Sequence, residues 1–324
     1  MRGVVIGKFY PPHLGHNYLI DTALAGCDGV DVLVVDSPDY HMPAESRREW
    51  LQARHPKATV RIIPDLPGKD DDSEAWALHT IKFLGRVPDV VYASMDYAVT
   101  WAAAMGCKHV EVDTPRIKIP ISATEIRKDI LKSWRFLSNE TKRGLAIRIV
   151  VLGAESTGTT TLSRELAEAL NEPWAPELGR FYTESLLATD KKWTNEDFYR
   201  IGKLQQDYQD AMAELSNGVV VYDTNAVATE VWQRRYMGRT TPAMEAIGAR
   251  EKVDLYIITG DEIPFVQDGI RDGEHMRHKM HKWFVSRIKK TGVPYVIASG
   301  PRGRRLATAL KAAERVVAEK RTIT

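Results

Sequence analysis

The sequence predicts an α/β fold made of two tandem parallel-sheet domains, and three observations carry that prediction. A short β-branched run, Gly3-Val4-Val5-Ile6-Gly7, ends in a glycine-containing loop and leads into an amphipathic stretch from Asn17. The same device recurs at Ile147 to Leu152, where Gly153 to Gly158 separates the run from a helical pattern over Thr161 to Leu170. A strand, a phosphate-sized loop and a helix N-terminus are how a parallel α/β domain opens. Third, the later apolar runs are continuous rather than alternating, which suits strands covered on both faces. A chain of 324 residues has room for two such cores.

Taken in order, the first domain adds strands at Val30 to Val35, Thr59 to Ile63, Val90 to Ala93 and His109 to Val112. Helical stretches lie between them, among them Glu45 to Arg54 and Ser73 to Phe83. The polar stretch Ser138 to Gly144 marks the boundary, giving domains 1–144 and 145–324. In the second domain, Val219 to Tyr222, Leu255 to Thr259 and Tyr295 to Ala298 read as further core strands. Arg304 to Lys320, Ala-rich with a basic excess, reads as a surface helix packed on that domain.

Charge narrows the function classes. The formal net charge is +2, and residues 1–144 hold 19 Lys+Arg against 19 Asp+Glu. Neither half has the basic excess that would neutralise many nucleic-acid phosphates, so small anions held by a few placed cations fit better. Cys27 and Cys107 are far apart and make neither a disulfide framework nor a zinc pattern, which points to a reducing cytoplasmic setting. No apolar run reaches the roughly eighteen residues needed to cross a bilayer, and no signal-peptide core precedes the first strand.

The loop after the first strand is Gly7-Lys8-Phe9-Tyr10-Pro11-Pro12-His13-Leu14-Gly15-His16. Two imidazoles three apart fall where backbone N–H groups and a helix dipole already favour phosphate. Gly15 permits close backbone approach, and Pro11-Pro12 stiffens it. Late in the same domain stands Ile121-Ser122-Ala123-Thr124-Glu125-Ile126-Arg127, which alone could be an N-cap followed by a surface charge. The first stretch resembles the HxGH signature of the nucleotidyltransferase superfamily, and the second resembles its ISxTxxR element. The resemblance implies attack by a substrate phosphate on the α-phosphorus of ATP with loss of pyrophosphate, catalysed by alignment and charge stabilisation. It implies phosphate contacts from His13 and His16, and charge neutralisation by Lys8 and Arg127. Gly7, Phe9, Gly15, Ser122 and Thr124 would complete the ATP site.

In the second domain, Gly153-Ala154-Glu155-Ser156-Thr157-Gly158-Thr159-Thr160 matches the P-loop pattern at each defined position but one. Thr159 stands where the pattern has the lysine that reaches the β- and γ-phosphates. The expected nucleotide contacts run from Gly153, Glu155, Ser156, Thr157 and Gly158 through Thr159, Thr160 and Thr161. Thr160 and Asp223, at the end of a buried strand, are candidates to hold Mg²⁺ brought by ATP, and Asp223 also to take the acceptor's proton. Asp223 has an alternative reading as a helix N-cap. Arg271, within Asp268-Gly269-Ile270-Arg271, is the first candidate to replace the lost lysine charge, and Arg180 the second.

With both constellations present, nearly the whole chain resembles the NadR-type family, a Rossmann-like nicotinamide mononucleotide adenylyltransferase fused to a P-loop ribosylnicotinamide kinase. Arg47 with Trp50, Trp76, Thr114-Pro115-Arg116, Phe136-Leu137, Glu177-Leu178-Gly179-Arg180 and Tyr236-Met237-Gly238-Arg239 also occupy matching places. The resemblance implies that Tyr10, Arg47 and Trp76 hold the nicotinamide nucleotide, since aromatic faces suit a cationic pyridinium; core packing is the alternative for Trp76. Glu177 and Arg180 would bind the riboside. The implied ligands are ATP, nicotinamide mononucleotide, nicotinamide riboside and NAD, in a cytoplasmic homo-oligomer with no DNA or membrane partner. Met1 lies two residues before the first strand, so the helix-turn-helix that opens some family members is not expected. Ser94-Met95-Asp96 departs from the family's usual Ser-Glu, and Thr159 puts kinase activity in question. Two alternatives stay open: a second domain that only senses nucleotide, or a different phosphate acceptor such as phosphopantetheine or flavin mononucleotide. His275, His278 and His281 read as a basic lid helix rather than a metal site, and Asp70-Asp71-Asp72 as a solvated loop.

Overall fold

The computed structural model describes residues 1–189, 191–267 and 273–323. It divides into two compact units, Met1–Leu145 with Arg321–Thr324, and Ala146–Lys320. Each is the parallel α/β layer structure that the repeated opening predicts.

In the first unit the chain runs β1 (Arg2–Gly7), α1 (Leu14–Gly26), β2 (Gly29–Asp36), α2 (Ala44–Arg54), β3 (Thr59–Pro64) and α3 (Ser73–Leu84). It continues with β4 (Val90–Ala93), α4 (Tyr97–Met105), β5 (Lys108–Glu111), α5 (Ala123–Lys128) and α6 (Asn139–Leu145). The sheet order is β3-β2-β1-β4-β5, all parallel. β1 is thus flanked by β2 and β4, and the crevice where connections diverge opens at their carboxyl ends, the ligand position of such sheets. Val4, Val5, Leu33 and Val91 are wholly buried because helices cover both faces. β5 departs from the expectation of a strand buried on both faces. Lys108, Val110 and Glu111 are exposed, as befits an edge strand. The polar stretch read as the boundary forms α6, with Thr141 fully buried.

The second unit runs β6 (Ile147–Leu152), α7 (Thr159–Leu170), β7 (Trp174–Ala175), α8 (Leu178–Ala188), α9 (Asn195–Leu215) and β8 (Val219–Asp223). Then come α10 (Ala226–Met237), α11 (Pro242–Gly248), β9 (Leu255–Thr259), α12 (Arg277–Lys289), β10 (Tyr295–Ala298) and α13 (Arg302–Lys320). The parallel sheet has the order β10-β9-β6-β8-β7. β6, β8 and β9 are buried throughout, while β10 leaves Ile297 exposed at the edge. α13 presents Arg305, Ala309, Ala313 and Val316 inward. Among the described residues no helix is long and apolar enough to cross a membrane.

Candidate functional site

A cavity of about 550 Å³ opens at the carboxyl ends of β1 and β4, lined by Gly7, Lys8, Phe9, Tyr10, His13, Gly15, His16, Trp76, Ser122, Thr124 and Arg127. Eleven of the candidates named for the first domain therefore meet around one hollow. His13 is the N-cap of α1: its Nδ1 accepts the Gly15 N–H at 3.1 Å. That bond leaves the ring proton on Nε2. It also explains the glycine, because a Cβ at position 15 would lie 2.9 Å from the His13 ring. The His16 ring stacks on His13 with centroids 3.7 Å apart, and Phe9 meets His16 edge-on at 4.9 Å. Burial, then the nearby Arg116 charge, lowers His13 to about 3. Burial lowers His16 as well, helped by His13 and Arg116. Both imidazoles are therefore neutral donors at pH 7, not cations.

The cations stand opposite. The Arg127 guanidinium donates to the Tyr10 carbonyl at 2.8 Å and to the Thr124 hydroxyl at 3.1 Å. Ser122 caps α5 in a reciprocal box with Glu125, so its hydroxyl accepts the Glu125 N–H at 3.2 Å while still facing the cavity. Lys8 faces Asp70 at 3.5 Å and lies 5.6 Å from the Tyr40 ring centre. Asp70 and Asp71 line the cavity, so two carboxylates of the loop read as merely solvated border the site. Arg116, in a left-handed backbone turn with φ 53°, also lines it. From the sequence, Thr114-Pro115-Arg116 carries only a family resemblance. The acidic loop and Arg116 gain meaning only once the chain brings them to the histidines.

Arg47 requires correction. It is fully buried and does not line the cavity. Its guanidinium donates to the carbonyls of Lys8 and Val35, the latter at 3.0 Å, with Tyr10 and Tyr40 ring centres 5.9 and 5.5 Å away. It braces the loop after β1 against the end of β2 and underpins the two stacked tyrosines (4.5 Å). Tyr10 and Trp76 do line the cavity, and the Trp76 indole N–H donates to the Lys69 carbonyl at 2.9 Å.

In the second unit, a smaller cavity of about 130 Å³ is lined by Gly153, Glu155, Ser156, Thr159, Thr160, Glu177 and Arg180. Trp193, Phe198, Trp232 and Tyr236 form its aromatic wall. Ser156 at φ 56° and Gly158 at φ 79° give the left-handed backbone of an anion nest. A Cβ at Gly153 would lie 2.1 Å from the Thr259 hydroxyl, so only glycine fits there. The Thr160 hydroxyl donates to Asp223 Oδ2 at 2.6 Å, and Asp223 Oδ1 is buried without a hydrogen bond. Burial pushes the Asp223 carboxyl up to about 6, against the hydroxyls of Thr160 and Thr159 and the charges of Arg164 and Arg180. Burial, then the Asp223 charge, pushes Glu177 up to about 8, against Arg180. A hydroxyl and an adjacent carboxylate, one of whose oxygens is buried and unsatisfied, are hard-oxygen donors suited to Mg²⁺ carried by ATP.

Three second-domain expectations are revised. Glu155 does not face phosphate alone: it forms a 2.8 Å ion pair with Arg235 and accepts the Gly273 N–H at 2.7 Å. The Thr157 hydroxyl serves the core, bonding the Ala154 carbonyl and Thr259 at 2.6 Å each, and neither Thr157, Gly158 nor Thr161 lines the cavity. α13 is more than a packed surface helix. Its buried Arg305 donates to the Thr157 carbonyl at 2.6 Å, and Arg277 of α12 to the Ser156 carbonyl at 3.1 Å. Arg277, read only as part of a basic lid helix, and Arg305, read only as part of a surface helix, thus hold the P-loop. Arg180 pairs with Glu184 at 3.4 Å, and Arg271 lies outside the described residues. His275 sits in a 3-10 turn, His278 pairs with Asp261, and His281 turns its Nδ1 inward.

A family model described as an AAA domain matches residues 148–305. Two curated relatives carry the name trifunctional NAD biosynthesis/regulator protein NadR. The protein of Escherichia coli (strain K12) is 29% identical over 91% of this chain and 78% of its own length. The protein of Salmonella typhimurium is likewise 29% identical, over the same shares. Among solved structures, a NadR protein in complex with NR superposes with a TM-score of 0.72 at 23% identity, covering 100% of this chain and 96% of that one. A NadR protein with NAD and AMP-PNP gives 0.70 at 23% identity, covering 100% and 97%.

Proposed function

We propose that this chain, a homologue of the NadR proteins over nine-tenths of its length, serves NAD biosynthesis with both of its α/β units. The first unit makes NAD⁺ and pyrophosphate from MgATP and nicotinamide mononucleotide. The second phosphorylates nicotinamide riboside and so supplies the first. The observation that carries the reading is the single cavity shared by His13, His16 and Arg127, walled by aromatic residues.

An oxygen of the mononucleotide phosphate attacks the α-phosphorus, and the bond to the β-phosphate oxygen breaks, so pyrophosphate leaves with the electron pair. No protein nucleophile is required. Two anions must instead be aligned and their charge held, which is work for fixed donors in a site with little water. The His13 Nε2–H and the His16 ring donate without carrying charge. Lys8, Arg116 and Arg127 supply the positive field, and Tyr10 and Trp76 offer faces to the pyridinium cation. Mg²⁺ arriving with ATP neutralises phosphate charge.

In the second unit, Thr160 and Asp223 would hold the metal. Asp223 would also take the riboside hydroxyl proton, a role that its buried carboxyl supports. Trp193, Trp232 and Tyr236 offer stacking surface for the riboside base, with Glu177 and Arg180 at its polar end. Thr159 favours a second reading, in which this unit binds nucleotide as a sensor without turnover.

Chromatography of products from MgATP with nicotinamide mononucleotide, phosphopantetheine or flavin mononucleotide tests the first unit. NAD⁺ is expected from the first acceptor alone, and its absence overturns the assignment. Nicotinamide mononucleotide formed from riboside and ATP supports the kinase; ATP binding without that product supports the sensor.

A further inference from the structure

We propose that Arg321 is a positioning residue for adenylyl transfer: the segment Arg321–Ile323 grips the end of α5 and so sets where Arg127 presents its guanidinium. The inference rests on the reading of the first cavity as the ATP site.

α5 has only six residues, too few to hold a helical end in place by itself. Its N-terminus is secured by the Ser122–Glu125 box. Its C-terminus leaves carbonyls with no partner inside the helix, that of Arg127 among them. The Ile323 N–H fills this need, donating to the Arg127 carbonyl at 3.0 Å. Three residues on, the Ile130 N–H donates to the Arg321 carbonyl, also at 3.0 Å. Between these bonds one oxygen of Asp129, Oδ2, accepts the Arg321 guanidinium from both Nε at 2.9 Å and Nη2 at 2.8 Å. A charge-assisted contact of this kind is stronger than a neutral hydrogen bond. Ile130 is buried, which seats this stretch in the unit's core.

The Arg127 side chain is held from the other side by the Tyr10 carbonyl and the Thr124 hydroxyl. Its backbone is thus pinned by residue 323 and its guanidinium by the cavity wall. Releasing the backbone lets the guanidinium drift from the bound triphosphate, which weakens the hold on MgATP by about the worth of one hydrogen bond.

The test measures adenylyl-transfer kinetics and thermal melting for Arg321→Ala, Arg321→Lys and Ile323→Pro in the full chain. Ile323→Pro removes the N–H to Arg127 and keeps the ion pair. Expected are a KM for MgATP raised roughly three- to tenfold, the scale of one net hydrogen bond, in Arg321→Ala and Ile323→Pro, with kcat for saturating substrates within twofold and partial recovery in Arg321→Lys. Unchanged kinetics in both variants would overturn the proposal. A parallel fall of kcat and melting temperature with no change in KM would overturn it too, leaving only a structural role. If the unmodified chain makes no NAD⁺, the assigned reaction fails first, and that result is distinct from equal activity of the chain and its variants.

Discussion

Replacing His13 separates its two jobs. The ring caps α1 through Nδ1 and offers Nε2–H to the cavity. With its pKa lowered to about 3 by burial and Arg116, roughly one ring in ten thousand is protonated at pH 7. The group therefore acts as a neutral donor, and its loss should cost what one transition-state donor is worth, about 2.7–4 kcal/mol or a 10²–10³-fold drop in kcat. His13→Asn keeps an excellent N-cap but cannot reach the phosphate. Its melting temperature should stay near that of the unmodified chain while adenylyl transfer collapses. His13→Ala loses the cap too, about 1 kcal/mol or roughly 2–4 °C in a unit of this size. The assay is NAD⁺ formation by chromatography beside calorimetric melting. Between pH 6 and 8 the native rate should show no limb belonging to this histidine. Stability should fall as the pH drops from about 6.5 towards 3, because the unfolded chain takes up the proton first. His13→Asn with kcat within threefold of native, or a rate that climbs as the ring would charge, refutes the argument.

Asp223→Asn should cut riboside phosphorylation by about 10²-fold or more, the usual scale of a lost general base. A variant rate within threefold of native would count against Asp223 as base. Thr159→Lys sets an ammonium beside that carboxylate. It should lower the KM for ATP in the second unit, and an unchanged KM would show the lysine pointing elsewhere. Arg47→Met strands the carbonyls of Lys8 and Val35, and should destabilise the first unit by about 2–4 kcal/mol in a denaturant titration. A loss under about 0.5 kcal/mol would mean that water satisfies those carbonyls.

The sheets were legible because their strands are buried on both faces. Val32 to Val35 and Ile149 to Leu152 are unbroken apolar runs, each preceded by a single charged residue near the start of its strand, Asp31 and Arg148. β5 escaped that logic: an edge strand needs only part of the apolar signature, and Lys108 and Glu111 sit exposed within it. α9 has no counterpart among the helical stretches named from the sequence, although Thr194 with Asp197 three residues on forms a reciprocal capping box at its start. At the sites, the residues contiguous with a motif were accessible to sequence and those reached through the fold were not. Asp70 meets Lys8 from a loop 62 positions away. Arg305 reaches the P-loop carbonyl of Thr157 across 148 positions. The Arg47 error has the same origin. An arginine near a nucleotide motif looks like a ligand contact until the ends of β1 and β2 come together around its guanidinium and swallow it.

Because Arg321–Thr324 group with Met1–Leu145, the first unit is discontinuous in sequence, and Ala146–Lys320 falls between its two segments. A ribosome delivers the final strap of that unit only after the whole intervening segment has been made, at about 5–20 residues per second a delay on the order of ten seconds or more. Until then the nascent domain has its sheet but not its closing clasp. A fragment cut at Leu145 would be frozen at that stage, and weak adenylyl transfer from it would report an unfinished fold rather than a poor enzyme.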